Sequence, residues 1–396
     1  MQRFPLPRAT SARPIFASVT FVVALLLGLV SPAGAATINV ANNTDYNAGT
    51  PPVDGDGTGC TFRKALKNAL DGAQTFMDCT TGSSGADIIA FNDASTFTMG
   101  TLGVFDFITK DITITAPGSK TFDATASNSE IFHVSGATAK LTMNGFTLSN
   151  ATNSAVFLAS GGNLSMNVGA FNNNSGPPAG GGAITGDGTI SLTAIHFNGN
   201  SAANGNGGAI NLNNSSFGSA SITDSFFDGN TANNSGGAIY YVGTATVAPG
   251  ATLTITNTLF GSVLANTAHA ANGNTDGGGA IFASAIGLTA QVSIIDSSFV
   301  NNVVDGNGGL GGAIYNSTSD TLPMVVDHNV FTLNQVNGDA TNAGGAIYAG
   351  DSIVVRASSF ISNKANAGSG GAIASSASPA PPAWVSTWHP WFIRAR

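Results

Sequence analysis

Charge is scarce in this sequence: Asp, Glu, Lys and Arg together fill 9% of its 396 positions, against about a quarter in an ordinary globular chain. Glutamate occurs once, at Glu130, and no lysine or arginine stands between Lys140 and Arg356, an interval that holds ten aspartates. Nucleic acids are bound chiefly through lysine and arginine that displace phosphate counterions. Nucleic acid is therefore not an expected partner, and nucleotide chemistry and binding to anionic membranes lose their basis with it. So low a charge content also excludes a charge-rich disordered tail and a coiled coil. Glycine is abundant at 51 residues, but it has no three-residue period and the prolines number only 15, which excludes collagen. Cysteine is limited to Cys60 and Cys79, and tryptophan is missing until Trp384.

Part of the 42% hydrophobic content belongs to the N-terminus. Arg3, Arg8 and Arg13 precede a mostly apolar run from Ile15 to Val30, and Ser31-Pro32-Ala33-Gly34-Ala35-Ala36 follows with the small-x-small form of a signal-peptidase site. These residues predict a signal peptide over 1–35, cleaved after Ala35, and a secreted or cell-surface location. Cleavage removes three arginines and no acid, so the net charge moves from −8 to −11. A retained membrane anchor is the alternative, but the run is shorter than the ~20 residues a spanning helix needs and contains Ser18 and Thr20. No other stretch is long and apolar enough to span a bilayer as a helix, so no transmembrane segment is expected after cleavage. In an exported chain the isolated cysteine pair reads as a Cys60–Cys79 disulfide, which closes a loop of about 20 residues and contributes about 3 kcal/mol. Zinc would need two further ligands, which no suitable spacing supplies.

A repeat organises most of the chain. Gly-Gly-Ala-Ile begins at Gly181, Gly207, Gly236, Gly278, Gly311, Gly344 and Gly370, and Phe-x-x-Asn begins at Phe171, Phe197, Phe227, Phe299, Phe331 and Phe360. The two alternate, and Phe260 marks a copy without Asn at the third following position. Five and seven residues before each phenylalanine the chain is apolar, from Leu164 and Met166 to Ile353 and Val355. Alternation of period two is the mark of a strand with one buried face. Units this short cannot bury an apolar face alone, so they must stack, each strand pairing in parallel with its equivalent in the next turn. The predicted fold is an all-β solenoid, a parallel β-helix of about 10 coils and about 50 Å length at ~4.8 Å per coil. In it Gly-Gly supplies corners with φ > 0, and asparagine takes a left-handed turn and bonds its amide to the next coil. The longest interval, Gly236 to Gly278, predicts an outward bulge over 265–276.

Ahead of the repeat, Thr61 to Gly72 predicts a short amphipathic helix with Phe62, Ala65, Leu66, Ala69 and Leu70 on one stripe, Thr61 as its N-cap and Gly72 at its end. Arg63, Lys64 and Lys67 fall on its polar face. A solenoid needs its terminal cross-section covered, so this helix is expected to be a lid, with strands at 87–91, 111–115 and 130–134 as the first coils. The domain plan is then a signal peptide at 1–35, an N-terminal cap at 36–92, β-helix repeats at 93–377 and a tail at 378–396 rich in proline and tryptophan.

Two parts of the sequence resemble known families. Cys60-Thr61-Phe62-Arg63-Lys64-Ala65-Leu66, followed by Asn68-Ala69 and Asp87-Ile88-Ile89-Ala90-Phe91, resembles the N-terminal CSLREA segment of exported bacterial parallel β-helix proteins, departing from it at Phe62 and Lys64. The Gly-Gly-Ala-Ile and Phe-x-x-Asn repeats are similar to those of the polymorphic outer-membrane protein family, whose passenger regions are β-helices linked with adhesion. Together these resemblances span roughly residues 37–375. They imply a right-handed parallel β-helix outside the cell or on its surface, and neither implies a reaction.

Parallel β-helices also include polysaccharide lyases and glycoside hydrolases. A lyase acting on uronates wants a cation, which the repeat lacks before Arg356, whereas a glycosidase needs only two carboxyls about 5 to 9.5 Å apart. Three residues before the phenylalanine stand Asp224, Asn257, Asp296 and His328 in successive units. Asp224, Asp296 and His328 are thus the catalytic candidates, with Asp228, Asp327 and Asp351 in neighbouring registers. The competing reading makes them polar residues at a strand end. No cofactor or metal site is expected: His133, His196, His269 and His389 form no ligand pattern, Gly118-Ser119-Lys120-Thr121 lacks the first glycine of a phosphate loop, and no glycine-aspartate calcium array is present. Sugar-stacking platforms are few, chiefly Tyr240, Tyr241, Tyr315 and Tyr348. The function expected is a non-catalytic adhesive or surface-structural one, with a host or neighbouring-cell glycan or protein as partner. A carbohydrate-active enzyme is the alternative.

Overall fold

The computed structural model describes residues 34–376 apart from 215–217, 245–249, 271–275, 287–290 and 318–321. Most of the predicted signal peptide and the tail at 378–396 lie outside the described residues. The chain winds as a right-handed parallel β-helix whose coils are paired through three wholly parallel sheets. One coil illustrates the path. Ala220–Thr223 and Phe226–Asp228 lie in the 18-stranded first sheet, Thr231–Ala232 in the six-stranded second, and Ile239–Thr244 in the nine-stranded third. Thr252–Thr256 then re-enters the first sheet directly above Ala220–Thr223. Like meets like throughout: Leu164, Ile190, Ala220, Leu253 and Val292 are successive partners in the register, all buried.

The phenylalanines form one pile. Phe171, Phe197, Phe227, Phe260, Phe299, Phe331 and Phe360 stack with ring centroids 4.4 to 4.9 Å apart and planes within 9° of parallel. An isolated aromatic pair prefers an offset or edge-on arrangement. Here the rise between paired parallel strands, ~4.8 Å, dictates the spacing instead.

The corners explain the repeat residue by residue. The first glycine of the motif has φ between 65° and 71° at Gly207, Gly236, Gly278, Gly311, Gly344 and Gly370. The second needs glycine for another reason: a Cβ on Gly237 would run into the carbonyl oxygen of Gly279 in the next coil. Asparagine builds the predicted ladder. Asn174, Asn200, Asn230, Asn266, Asn302 and Asn334 each pass one Nδ2 proton to the Oδ1 of the next rung, the last to Asn363, at 2.9 Å in every step. The other proton goes to a backbone carbonyl of the preceding coil, as from Asn230 to Phe197. Full satisfaction of the amide is what makes its complete burial tolerable. These asparagines are not the left-handed residues. That conformation belongs to the residue before them, at Asn173, Gly199, Gly229, Asn301, Leu333 and Ser362.

Ahead of the bulge expected over 265–276 the chain carries another insertion. Asn266 sits in the ladder and Thr267–His269 is a strand of the second sheet, so some of the extra residues, with 271–275 outside the described residues, come directly after Phe260, where Val263 and Leu264 are pushed into solvent. Asp228 of the coil below holds them by accepting the Ser262 and Leu264 amides at 3.0 and 3.1 Å. The coil therefore keeps its ladder asparagine and its second-sheet strand despite the insertion.

Helix α1, Phe62–Asp71, closes the N-terminal end. Phe62 is fully buried and lies 4.7 to 6.1 Å from the rings of Phe91, Phe97, Phe105, Phe122 and Phe132, so it plugs the first coils. Gly72 ends the helix at φ 62°, but the Thr61 side chain makes no capping bond. The expected polar face is also different. Lys64 is 0% exposed and its ammonium is held by Asp56 and Asp78, while Arg63 reaches Asp45 and the carbonyls of Gly103 and Val104. Only Lys67 faces outward, paired with Asp71. Cys60 and Cys79 are bonded to each other across this cap. Burial alone would lower the Lys64 pKa, but the bonds to Asp56 and Asp78 outweigh it and raise it. The Lys64 hydrogen bond, with Thr58 adding to it, holds the Asp56 carboxyl well below the usual range.

Candidate functional site

Asp224, Asn257, Asp296 and His328 do form one exposed column, each directly above the last. The column marks a bend that divides the first sheet into two legs, and every residue in it has positive φ: Gly145, Val168, Ala194, Asp224, Asn257, Asp296, His328 and Ala357, between 43° and 78°. Asn, Asp and His are the non-glycine residues that tolerate this region best, which gives a backbone reason for their presence. Asn257 Nδ2 donates to Asp224 Oδ1 at 2.6 Å and stands between Asp224 and Asp296, two coil steps or about 10 Å apart. His328 Nδ1 lies 3.0 Å from Asp327 Oδ1. Of the neighbouring acids, Asp228 holds the inserted loop and Asp351 accepts the Ser352 amide at 2.7 Å. The column runs along this exposed bend, and none of its residues lines the depression described next.

The third sheet carries the other candidate surface. Its outward column, read up the register, is His133, Phe157, Thr185, Asn211, Tyr240, Phe282, Tyr315, Tyr348 and Ala374. Phe107 stacks beneath it, 3.9 Å from the His133 ring. Tyr240, Tyr315 and Tyr348 thus belong to a single aromatic ladder, to which the sequence reading did not assign Phe157 or Phe282. Tyr241, in contrast, points inward and is fully buried. Leu310 packs over Phe282 and Tyr315 and covers the upper part. Burial, with the charge of Asp276 in support, pushes the Tyr240 hydroxyl pKa up.

Below Tyr240 the ladder is broken for two rungs. Thr185 and Asn211 are shorter than the rings above and below, leaving a depression of about 640 Å³ bounded by Phe157 at one end and Tyr240 at the other. Tyr240 stacks on Phe282 at 4.7 Å and 11°, so its other face looks down the axis over Asn211. Phe157 packs on His133 at 4.7 Å with its plane tilted by 36°, and Phe157 and Tyr240 both line the depression. Between the two rings lie Ser160, Asp187, Asn206 and Asn211. Asn211 Nδ2 donates to the Ala179 carbonyl at 2.8 Å, and Asn206 Oδ1 accepts the Ser235 amide at 3.0 Å. Each amide keeps capacity for further bonds. Asn211 and Tyr240 follow Gly-Gly-Ala-Ile directly, a position the repeat leaves variable.

Fold and surfaces together define a parallel β-helix protein with long polar flanks and one broken aromatic ladder. Its coil is similar to a known one: the model of the Chlamydia polymorphic membrane protein repeat matches residues 224–241. The matched stretch runs from the bend at Asp224 through Phe227, Asn230 and the glycine corner to Tyr241. No curated protein and no solved structure matches the chain. Among the described residues no helix is long and apolar enough to cross a membrane, and no group of three or more His, Cys, Asp or Glu is gathered as a metal site would need.

Proposed function

We propose that this chain is exported through its N-terminal signal peptide and acts outside the cell or on its surface as a non-catalytic adhesive β-helix, engaging a glycan or protein of a host or neighbouring cell. The observation that carries this reading is the coil at 224–241, similar to the repeat of a family of membrane proteins. It is supported by the rigid stacking of such coils into flanks free of lysine and arginine between Lys140 and Arg356. The full exported chain, coated on beads, is expected to adhere to cultured epithelial or bacterial cells above an albumin control. A glycan array run beside polysaccharide turnover assays tests the enzymatic alternative: product release abolished by Asp224→Asn or Asp296→Asn would replace adhesion by catalysis.

A further inference from the structure

We infer that the depression between Phe157 and Tyr240 on the third sheet is a binding slot for a neutral oligosaccharide, about two sugar rings long. The inference rests on the adhesive reading and specifies its ligand. Three coil steps separate the two rings, about 14 Å along the axis. With a contact distance of about 4 Å on each ring face, the space admits one pyranose against Phe157 and a second against Tyr240. Aromatic walls offer an apolar face of the size a sugar ring presents. The floor does not suit an apolar peptide, because Ser160, Asn206, Asn211 and Asp187 bring hydroxyl, amide and carboxylate groups to it. Sugar hydroxyls both donate and accept, which is what a mixed amide and carboxylate lining can serve. Charge selects among glycans. Lysine and arginine are absent between Lys140 and Arg356, and Asp187 lines the slot, so uronate, sialylated and sulfated chains would meet a carboxylate there.

The test uses the full exported chain with saturation-transfer NMR and calorimetry. The neutral probes are cellotriose, maltotriose, chitotriose and lacto-N-neotetraose; the acidic ones are trigalacturonate and 3′-sialyllactose. At least one neutral probe is expected to bind, with Phe157→Ala and Tyr240→Ala each weakening it about tenfold and Tyr240→Phe retaining it. Circular dichroism confirms that the variants are folded. Three results would overturn the slot: no neutral probe binding up to about 10 mM, binding indifferent to both alanine variants, or tighter binding of the acidic probes. Bead adhesion separates this from the broader reading. Variants that lose sugar but still adhere as wild type would remove the slot from adhesion and leave the adhesive reading standing. Sugar binding by a wild-type chain that adheres to nothing would do the reverse.

Discussion

Val168 is a β-branched residue held at φ 50° with its side chain 53% exposed, in the column otherwise occupied by Gly145, Ala194, Asp224, Asn257, Asp296, His328 and Ala357. A left-handed conformation costs an L-residue roughly 1 to 2 kcal/mol, and exposure gives Val168 little in return. Val168→Asn is expected to stabilise the protein by about 1 kcal/mol, and Val168→Gly by less, since glycine loses more entropy on folding. Asn257→Val should lose about the same amount. Urea midpoints at unchanged slope measure all three; a Val168→Asn midpoint at or below wild type would refute the conformational explanation. At this scale the inward residues were legible, because Phe, Ile and Val recur at fixed registers. Left-handed positions were not, because Gly, Asn, Val, Ala, Leu and Ser all occupy them and a backbone angle leaves no single residue type behind. Lys64 was misread for a related reason: its helical spacing is that of a surface lysine, and only Asp56 and Asp78, 8 and 14 positions away, reveal it as buried.

Among the elements, the first and third sheets could be read from alternation and from Gly-Gly-Ala-Ile. The second could not, since strands such as Thr231–Ala232 and Lys364–Ala365 hold two residues each, too few for any period. The missing Asn after Phe260 was likewise a matter of spacing, and Asn266 repairs it. Replacing Gly261–Ala265 with Asp-Gly, the pair that follows Phe227, restores the regular corner and removes exposed Val263 and Leu264. Stability is expected to be unchanged or about 0.5 kcal/mol higher, because a shorter loop costs less entropy to close; a clear fall in melting temperature would mean the insertion braces the coil. The cap yields another prediction. The Ala36 amide donates to Asp87 Oδ1 at 2.9 Å, and Asp87 is buried with Lys110 2.9 Å away. Cleavage after Ala35, as proposed, turns that amide into an ammonium facing a carboxylate. Asp87→Asn should therefore lower the melting temperature more in the cleaved chain than in an uncleaved one, as paired calorimetry would reveal.

Across the whole molecule the strongest charge pairing is gathered at one end. Burial raises the pKa of Asp87, but hydrogen bonds from Ser83 and Lys110 outweigh it and the net shift is downward; bonds from Ser95, Asn43 and Lys120 lower Asp93, and one from Lys64 lowers Asp56. A carboxyl depressed in the folded state contributes stability above its ordinary pKa of about 4, and that contribution is lost as pH falls through the folded value. Lys64, raised in the folded state, contributes below its ordinary value of about 10.4 and loses that contribution as pH climbs past it. The cap should thus loosen before the repeats below about pH 4 and above about pH 10.5. Hydrogen exchange would register this as early loss of protection in α1 while the amides of the Asn ladder stay closed. Simultaneous loss in both would place the pH sensitivity elsewhere. The ladder itself has a sense, since every Nδ2 reaches for the Oδ1 of the following rung and none reaches back to the one before. At the N-terminal end a further coil would meet helix α1 lying across the first coils instead of an open row of strands. Filament growth, the standing hazard of a body made from stacked parallel strands, is thereby discouraged at the capped end.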